Sequence, residues 1–307
     1  MNPHRPADQH RHDQPRRPGL VAAPVDADGG DLPTSAGPGH SGIDTRVPNP
    51  ARRYDYLLGG KDNFAADRAS AEELQRAFPH VRTAAQENRR FLIRAVRFLA
   101  RTGVRQFLDI GTGYPTAPNV HEAAQAITPD ARVLYVDNDP VVVAHARALL
   151  TSPQPDAVGY LHADLRNPAA ILFSPQTRAA LDFQQPIGLL LVAVLHFIDD
   201  TDQPYEAVNT LIEGLPPGSY VALSHVTFDP LPDDTTRSLT DLTQPAAGHG
   251  PFRARTHPEI ERFLDGTDLV DPGLVSIVDW HPDEDPQPAP TASARDAACY
   301  GAVARVP

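Results

Sequence analysis

The stretch Arg105-Gln-Phe-Leu-Asp-Ile-Gly-Thr-Gly-Tyr-Pro-Thr116 constrains the fold of this chain more than any other. Arg105 to Ile110 has the composition of a short buried strand. It runs directly into the tight turn Gly111-Thr112-Gly113, and a helical pattern follows from about Asn119. A strand, a glycine turn and a helix start make a cradle for a nucleotide-like ligand. The glycines let the backbone approach closely because no Cβ intervenes. The helix start presents unpaired N–H groups to the same spot.

Strand and helix patterns then alternate. Ala131 to Asp137 is apolar and β-branched and ends in an acid, 24 residues past Gly113. Ala157 to His162 reads as a third strand, followed by Ala163-Asp164-Leu165. Ile187 to Leu195 is a continuous apolar run, which implies burial on both faces of a parallel sheet. It ends in His196-Phe197, at the edge where such sheets bind ligands. Gly218 to Val226 is a fifth strand, and Leu274–Trp280 with Ala298–Val306 reads as a closing strand pair. Helices are expected over Pro140–Leu150, Pro204–Leu215 and Thr256–Leu264, each with proline near its start. Upstream, Ala65–Phe78 is rich in helix formers. Thr83–Arg101 carries apolar residues at helical spacing, and these helices would cap the ligand edge. Thr235–Gly250 is polar and reads as a mobile lid or substrate segment. Pro282–Asp296 is Pro-rich and acidic and reads as a loose loop.

Two ligand classes fit the cradle, NAD and S-adenosylmethionine. A dinucleotide site favours a third glycine for close helix packing, and here that place holds Thr116 after Pro115. S-adenosylmethionine has no phosphates. Asp109, just before the turn, suits its ammonium group; the bland alternative is an acid that caps the turn's own N–H groups. Asp137 is placed to accept from both ribose hydroxyls. Asp164 would accept from the adenine amino group, with Leu165 beside the ring.

Several stretches resemble an actinobacterial family of S-adenosylmethionine-dependent methyltransferases of unassigned substrate, formerly a domain of unknown function. They are Tyr54-Asp-Tyr-Leu-Leu-Gly-Gly-Lys-Asp-Asn-Phe64, Glu87-Asn-Arg89, Phe107 to Gly113, Asn119-Val-His121, Tyr135 to Pro140, Ala163 to Leu165, Leu191 to His196 and Ser219 to His225. Tyr114 stands where the family pattern expects leucine. The resemblance implies an α/β, Rossmann-like class I methyltransferase fold: a mostly parallel seven-stranded sheet, a C-terminal antiparallel hairpin and an N-terminal helical cap. It implies S-adenosylmethionine as cofactor, held by Tyr56, Lys61, Arg89, Asp109, Gly111, Thr112, Gly113, Asp137, Asn138, Asp164, Leu165 and Ala193. Tyr54 and Asp62 share the most specific stretch, which would close over the cofactor; Gly59-Gly60 there can equally be a helix end and turn. Lys61 or Arg89 would pair with the cofactor's carboxylate. His196 is the candidate general base, and a hydrogen-bonded histidine inside the sheet edge is its equal rival. His225 is a second, weaker candidate.

Composition narrows the partners. The chain has 307 residues, 33 of them proline, about twice average usage. Residues 1–47 lack apolar periodicity and are expected to stay disordered, with 48–104 as the cap and 105–307 as the cofactor domain. His4, His10 and His12 in the tail lack the cysteine partners of common zinc sites. The net charge is −12, which disfavours nonspecific nucleic-acid binding. Arg89, Arg90, Arg94, Arg97 and Arg101 read as a solvated helix surface. One cysteine, Cys299, permits no internal disulfide and reads as a buried inert thiol. The longest apolar run is too short for a membrane span, no signal core is present, and the cytoplasm is the expected compartment. No zinc, Walker-type or nucleophile-elbow motif is found. The leading reading is methyl transfer to an unidentified acceptor, a small molecule being favoured. The rivals are a noncatalytic S-adenosylmethionine-binding regulator and an NAD-dependent oxidoreductase.

Overall fold

The alternation of residues along the strands sets the architecture. In β1 (Gln106–Ile110), Phe107 faces one layer of helices and Leu108 and Ile110 face the other. The computed structural model describes residues 44–285, apart from 151, 153 and 155, and residues 292–307. The tail histidines and Gly39-His-Ser-Gly42 lie outside the described residues.

Three helices lead: α1 (Pro50–Leu57), α2 (Ala65–Ala77) and α3 (Val81–Arg101). After β1 come α4 (Val120–Gln125), β2 (Arg132–Asp137), α5 (Pro140–Leu149) and β3 (Val158–His162). Then follow α6 (Pro168–Leu172), α7 (Pro175–Ala180), β4 (Gly188–Val192), α8 (Pro204–Glu213) and β5 (Tyr220–Val226). The chain closes with α9 (Asp233–Leu242), α10 (His257–Glu261), β6 (Asp268–Leu269), β7 (Val275–Ser276), α11 (Ala294–Ala297) and β8 (Cys299–Arg305).

The sheet order is β3-β2-β1-β4-β5-β8-β6, and β7 also pairs with β8. The first five strands are parallel, and β8 runs antiparallel to β5 over seven residues. The order reverses between β1 and β4, the switch point where open α/β sheets bind ligands. One apolar layer packs α6, α8 and α10 on Leu108, Leu134, Leu189 and Val221; the other packs α3 and α4 on Phe107, Val133 and Leu190. A Cβ on Gly188 would stand 2.8 Å from Phe107 of the neighbouring β1 and 3.3 Å from Leu99 of α3, so glycine is what lets strand and helix pack this closely there.

The structure corrects several expectations. The sheet has eight strands, not seven. The expected closing hairpin is reduced to one long strand, β8, edged by two-residue strands β6 and β7 on either side of Pro272-Gly273. The rest of Leu274–Trp280 turns inward, and Trp280 packs edge-on against Phe91 and Phe98 at 5.4 and 5.6 Å. The fourth strand stops at Val192, and His196 sits in a 3₁₀ turn, Leu195–Phe197. Thr235–Gly250 contains most of α9, whose Leu239 is buried against Phe78 and Leu231. The start of Pro282–Asp296 is anchored: Asp285 pairs with Arg90 at 3.3 Å and Arg94 at 3.2 Å. Arg94 is itself buried, and its Nε donates to the Trp280 carbonyl at 3.0 Å. That arginine face is therefore a tie between α3 and the C-terminal segment. Removing one partner of such a buried pair costs about 3–5 kcal/mol.

The Tyr54–Phe64 stretch is largely a knot joining α1 to α2. The helix ends with Gly59 in the left-handed region (φ 85°) and the Gly60 N–H returning to the Asp55 carbonyl at 2.8 Å, a Schellman-like stop. Asp55 Oδ2 accepts from the Asp62 N–H and the Asn63 amide. Asp67 accepts from the Asn49 N–H, from Arg52 Nε and from the Phe64 N–H, all at 2.8 Å. This fixes where α1 crosses the sheet edge.

Candidate functional site

Four strand ends and two cap helices enclose a cavity of about 330 Å³ at the switch point, within the ~300–1,000 Å³ of small-molecule sites. Its wall is the Gly111–Gly113 turn after β1, Asp137–Asp139 after β2, Ala163–Arg166 after β3 and Val192–Val194 after β4. The start of α1 (Asn49–Ala51, Tyr54) and Asn88, Arg89 and Leu92 of α3 complete it.

The glycine turn needs its glycines for different reasons. A Cβ on Gly111, at φ 78°, would lie 2.4 Å from Val194. A Cβ on Gly113, at φ 65°, would meet no atom within 4 Å, so it would take up cavity space. Asp137 holds the turn open: Oδ2 accepts from the Gly113 N–H and Oδ1 from the Asp139 N–H, each at 2.9 Å. Burial pushes its pKa up, and these N–H bonds pull it back. Each oxygen keeps a lone pair for a ligand hydroxyl.

Asp109 is 6 % exposed, and its carboxyl accepts no hydrogen bond among the described residues. Burial pushes its pKa up to about 7, Arg89 opposing and neighbouring Asp137 adding to the rise. Across the cavity, Arg89 Nη2 donates to the carbonyls of Thr116 and Pro118, while its buried Nε has no partner among the described residues. An acid without a donor and a guanidinium with unspent N–H groups complement a free amino acid's ammonium and carboxylate. The residues present thus fit the methionine end of S-adenosylmethionine.

The other candidates are placed less simply. Asp164 is clamped by its neighbour: Oδ1 accepts from Arg166 N and Nε, and Oδ2 from Arg166 Nη2 at 2.6 Å and Asn138 Nδ2 at 3.3 Å. The Arg166 hydrogen bond holds its pKa down at about 2. Its four acceptor positions are filled, so an adenine amino group must displace one donor. Thr112, Asn138, Leu165 and Ala193 line the cavity. Ala193 has φ 57° and donates to Ser224 Oγ at 3.0 Å. A left-handed alanine costs of order 1–3 kcal/mol, which the Ser224 bond offsets in part. Tyr56 and Lys61 stand elsewhere: Tyr56 donates to Glu72 at 3.2 Å with Arg82 over its ring, and Lys61 is exposed. The knot described above turns both, and Asp62, away from the cavity.

His196 lines a second cavity of about 130 Å³. The two cavities share Pro50, Tyr54, Asn88, Ala193 and Phe197. The Tyr54 hydroxyl donates to the Ala85 carbonyl and accepts from Asn88 Nδ2, both at 3.0 Å. Asn88 Oδ1 accepts from Ser224 Oγ at 2.5 Å. This network stiffens the shared wall. His196 is 4 % exposed, ringed by Phe197, Phe252 and His225, and its Nδ1 has no partner among the described residues. Burial pushes its pKa well down, and His225, Arg53 and Arg255 add to the fall.

His225 is excluded as a base. Its Nδ1–H donates to the Val226 carbonyl at 2.7 Å, and Nε2 accepts from Arg255 at 2.9 Å. Both nitrogens are spent, and burial lowers its pKa to about 3. The fully buried Arg255 also donates to the carbonyls of Leu195 and Ile198 and to Asp200 at 2.7 Å, so it pins the turn carrying His196. Cys299 is buried in the second cavity's wall, with burial pushing its thiol up to about 12. Arg255, Asn88 and the Asn49–Asp139 bond at 3.0 Å are site-building contacts that sequence reading missed. Asn88 lay inside the Glu87-Asn-Arg89 stretch with no role assigned to it, Asn49-Pro50 left a signal as a capped helix start, and Arg255 left none. Among the described residues, no group of three His, Cys, Asp or Glu could hold a metal. No helix among them is long and apolar enough to cross a membrane.

Comparison with known proteins gives the same answer. A DUF574 family protein from Streptomyces avermitilis MA-4680 is 43% identical, with TM-score 0.80, covering 86% of this chain and 100% of that one. A candidate methyltransferase from Thermobifida fusca YX is 38% identical, with TM-score 0.78, covering 87% and 97%. A search of curated protein sequences found no match. The family model described as S-adenosyl methyltransferase matches residues 37–307. The chain belongs to the S-adenosyl methyltransferase family, and S-adenosylmethionine is its cofactor.

Proposed function

We propose that this chain transfers the methyl group of S-adenosylmethionine, held in the first cavity, to a small molecule held in the second. The observation carrying this reading is the shared wall: Tyr54, Asn88, Ala193 and Phe197 border a carboxylate-lined cavity on one side and a more apolar one on the other. When bound, the cofactor supplies a methyl group on a positively charged sulfur, already activated as an electrophile.

The chain's own residues then bind and orient. Asp137 accepts from the ribose hydroxyls. Asp109, as carboxylate, accepts from the ammonium, and the free N–H groups of Arg89 meet the carboxylate. Ala163 and Leu165 flank the adenine. Asp164 takes its amino group by releasing Asn138, the longest of its four bonds. Alignment of nucleophile and methyl group is worth roughly 7–11 kcal/mol.

His196 receives the acceptor's proton. An acceptor hydroxyl would use an oxygen lone pair to take the methyl group that the bound cofactor supplies, the C–S pair staying with sulfur, and its O–H proton would move to the His196 imidazole. The positive charge would leave the cofactor as it arises on His196, so the buried site would exchange one cation for another. A dry pocket disfavours an imidazolium alone, and this exchange offsets that penalty only during the transfer.

The test is calorimetric titration of the protein with S-adenosylmethionine and with NAD, followed by radiolabelled methyl transfer onto fractionated small-molecule extract. The reading expects binding of the first ligand only, and label in a low-mass fraction. Tight cofactor binding with label in no fraction would favour a noncatalytic regulator.

A further inference from the structure

The second cavity is apolar apart from a few groups, and one of them is out of place. Arg53 is 5 % exposed and lines this cavity. Its Nη1 donates to Ser70 Oγ at 3.1 Å and to the His249 carbonyl at 2.9 Å. Among the described residues no carboxylate lies within 4.0 Å of it, and its Nε and Nη2 donate to no protein atom. The other buried arginines of this fold are each paired: Arg52 with Asp67, Arg94 with Asp285 and Arg255 with Asp200. Asp67, already the partner of Arg52, acts on Arg53 only from beyond contact distance, and a buried cation with no contacting carboxylate is unfavourable. Burial lowers even its guanidinium pKa, to about 10, against the opposing pull of Asp67.

We propose that the second cavity takes an acceptor whose buried end is a single ring bearing a carboxylate, with Arg53 as its counter-ion. This rests on the methyl-transfer reading above and adds the substrate class. Size supports one ring: the cavity is about 130 Å³, and an apolar cavity of about 150 Å³ holds benzene. Chemistry supports the aromatic character, because Phe78, Phe228 and Phe252 line the walls beside Leu57, Leu74 and Leu239. A planar guanidinium held at one end by Ser70 and His249 keeps its remaining N–H fork for a two-oxygen anion. His196, with Nδ1 free of protein partners, then meets a second polar group of the same molecule, the hydroxyl that is methylated. The carboxylate is held and is not itself the nucleophile, so the product is a methyl ether of a hydroxy acid.

The experiment saturates the protein with S-adenosylhomocysteine and titrates in 4-hydroxybenzoate, 3-hydroxybenzoate and phenol by calorimetry. The better hydroxybenzoate is expected to bind at least tenfold more tightly than phenol. In Arg53→Met that preference is expected to fall below about threefold, a loss of over half of the ~1.4 kcal/mol that a tenfold ratio represents, with S-adenosylhomocysteine affinity retained. Should Arg53→Met not fold, Ala84→Phe fills the cavity instead and is expected to abolish binding of all three ring compounds, again with the nucleoside still bound. Equal affinity for phenol and both acids, an acid preference that survives Arg53→Met, or ring binding that survives Ala84→Phe would each overturn the proposal. Failure of the wild-type protein to bind S-adenosylhomocysteine would instead strike the cofactor site, and the two failures are told apart by that first titration.

Discussion

The two cavities share a wall and differ in how the chain builds them. The first carries the carboxylates and is assembled from strand ends with their following turns, so its main groups fall in short motifs: Asp109 with Gly111–Gly113, then Asp137–Asp139, then Ala163–Arg166. The second is mostly apolar and assembled from distant segments: α1 and α2, α3, the turn after β4, α9, Phe252 and Ala297–Cys299. A parallel sheet gathers strand ends at one edge by topology alone. No local rule gathers Leu57, His196, Leu239 and Cys299. The generic half of the reaction is therefore written in contiguous sequence, and the specific half in tertiary contacts.

Substitutions can separate the halves. The largest expected effect is from His196→Ala, which should lower the methyl-transfer rate by about 10²–10⁴-fold, the usual worth of a positioned base. Its S-adenosylmethionine affinity should stay within about twofold, because His196 does not line the first cavity. A matching loss of cofactor affinity, read by calorimetry, would merge the two cavities into one functional unit. Next is Asp137→Ala. It removes the acceptor of two backbone N–H groups and of the ribose hydroxyls, and should weaken cofactor binding by about 100-fold. Asp137→Asn should lose less.

A smaller effect comes from pH. Burial raises the Asp109 pKa to about 7, so below that the carboxyl carries a proton that the incoming ammonium must displace. Cofactor affinity should fall by up to tenfold per unit as pH drops below about 7, with proton release visible in buffers of different ionisation enthalpy. For the cofactor-free protein the sign is opposite. The raised acid binds its proton more tightly when folded, so its contribution to stability is lost as pH rises from the ordinary carboxyl range to about 7. A flat affinity from pH 5.5 to 8 would remove Asp109 from the ammonium site. The smallest effect is from Lys61→Ala. This exposed side chain should change cofactor affinity by no more than about twofold, and a large loss would show that the Tyr54–Phe64 knot rearranges on binding.

What the sequence showed follows the same division. The strand–glycine–strand order, the acid 24 residues past Gly113 and the fivefold parallel run were legible because period and turn chemistry are local signals. Arg94 and Arg255 were not, because their acceptors are carbonyls 183 and more or 57 and more residues away. Tyr56 and Lys61 looked like cofactor contacts because they share a motif with Tyr54. Gly59, Gly60 and Asp55 turn the chain between them, so that Tyr54 faces the cavities and Lys61 does not. The sequence ranked His225 below His196 without showing why, and the bonds of His225 Nδ1 to the Val226 carbonyl and of its Nε2 to Arg255 distinguish the spent histidine from the available one.

The most direct measurement is a crystal structure of the protein with S-adenosylhomocysteine. The account expects both ribose hydroxyls on Asp137, the amino group on Asp109, and the sulfur directed at the Tyr54–Ala193 wall with His196 beyond it. A nucleoside bound elsewhere, or bound there with Asp137 still contacting only Gly113 and Asp139, would contradict it.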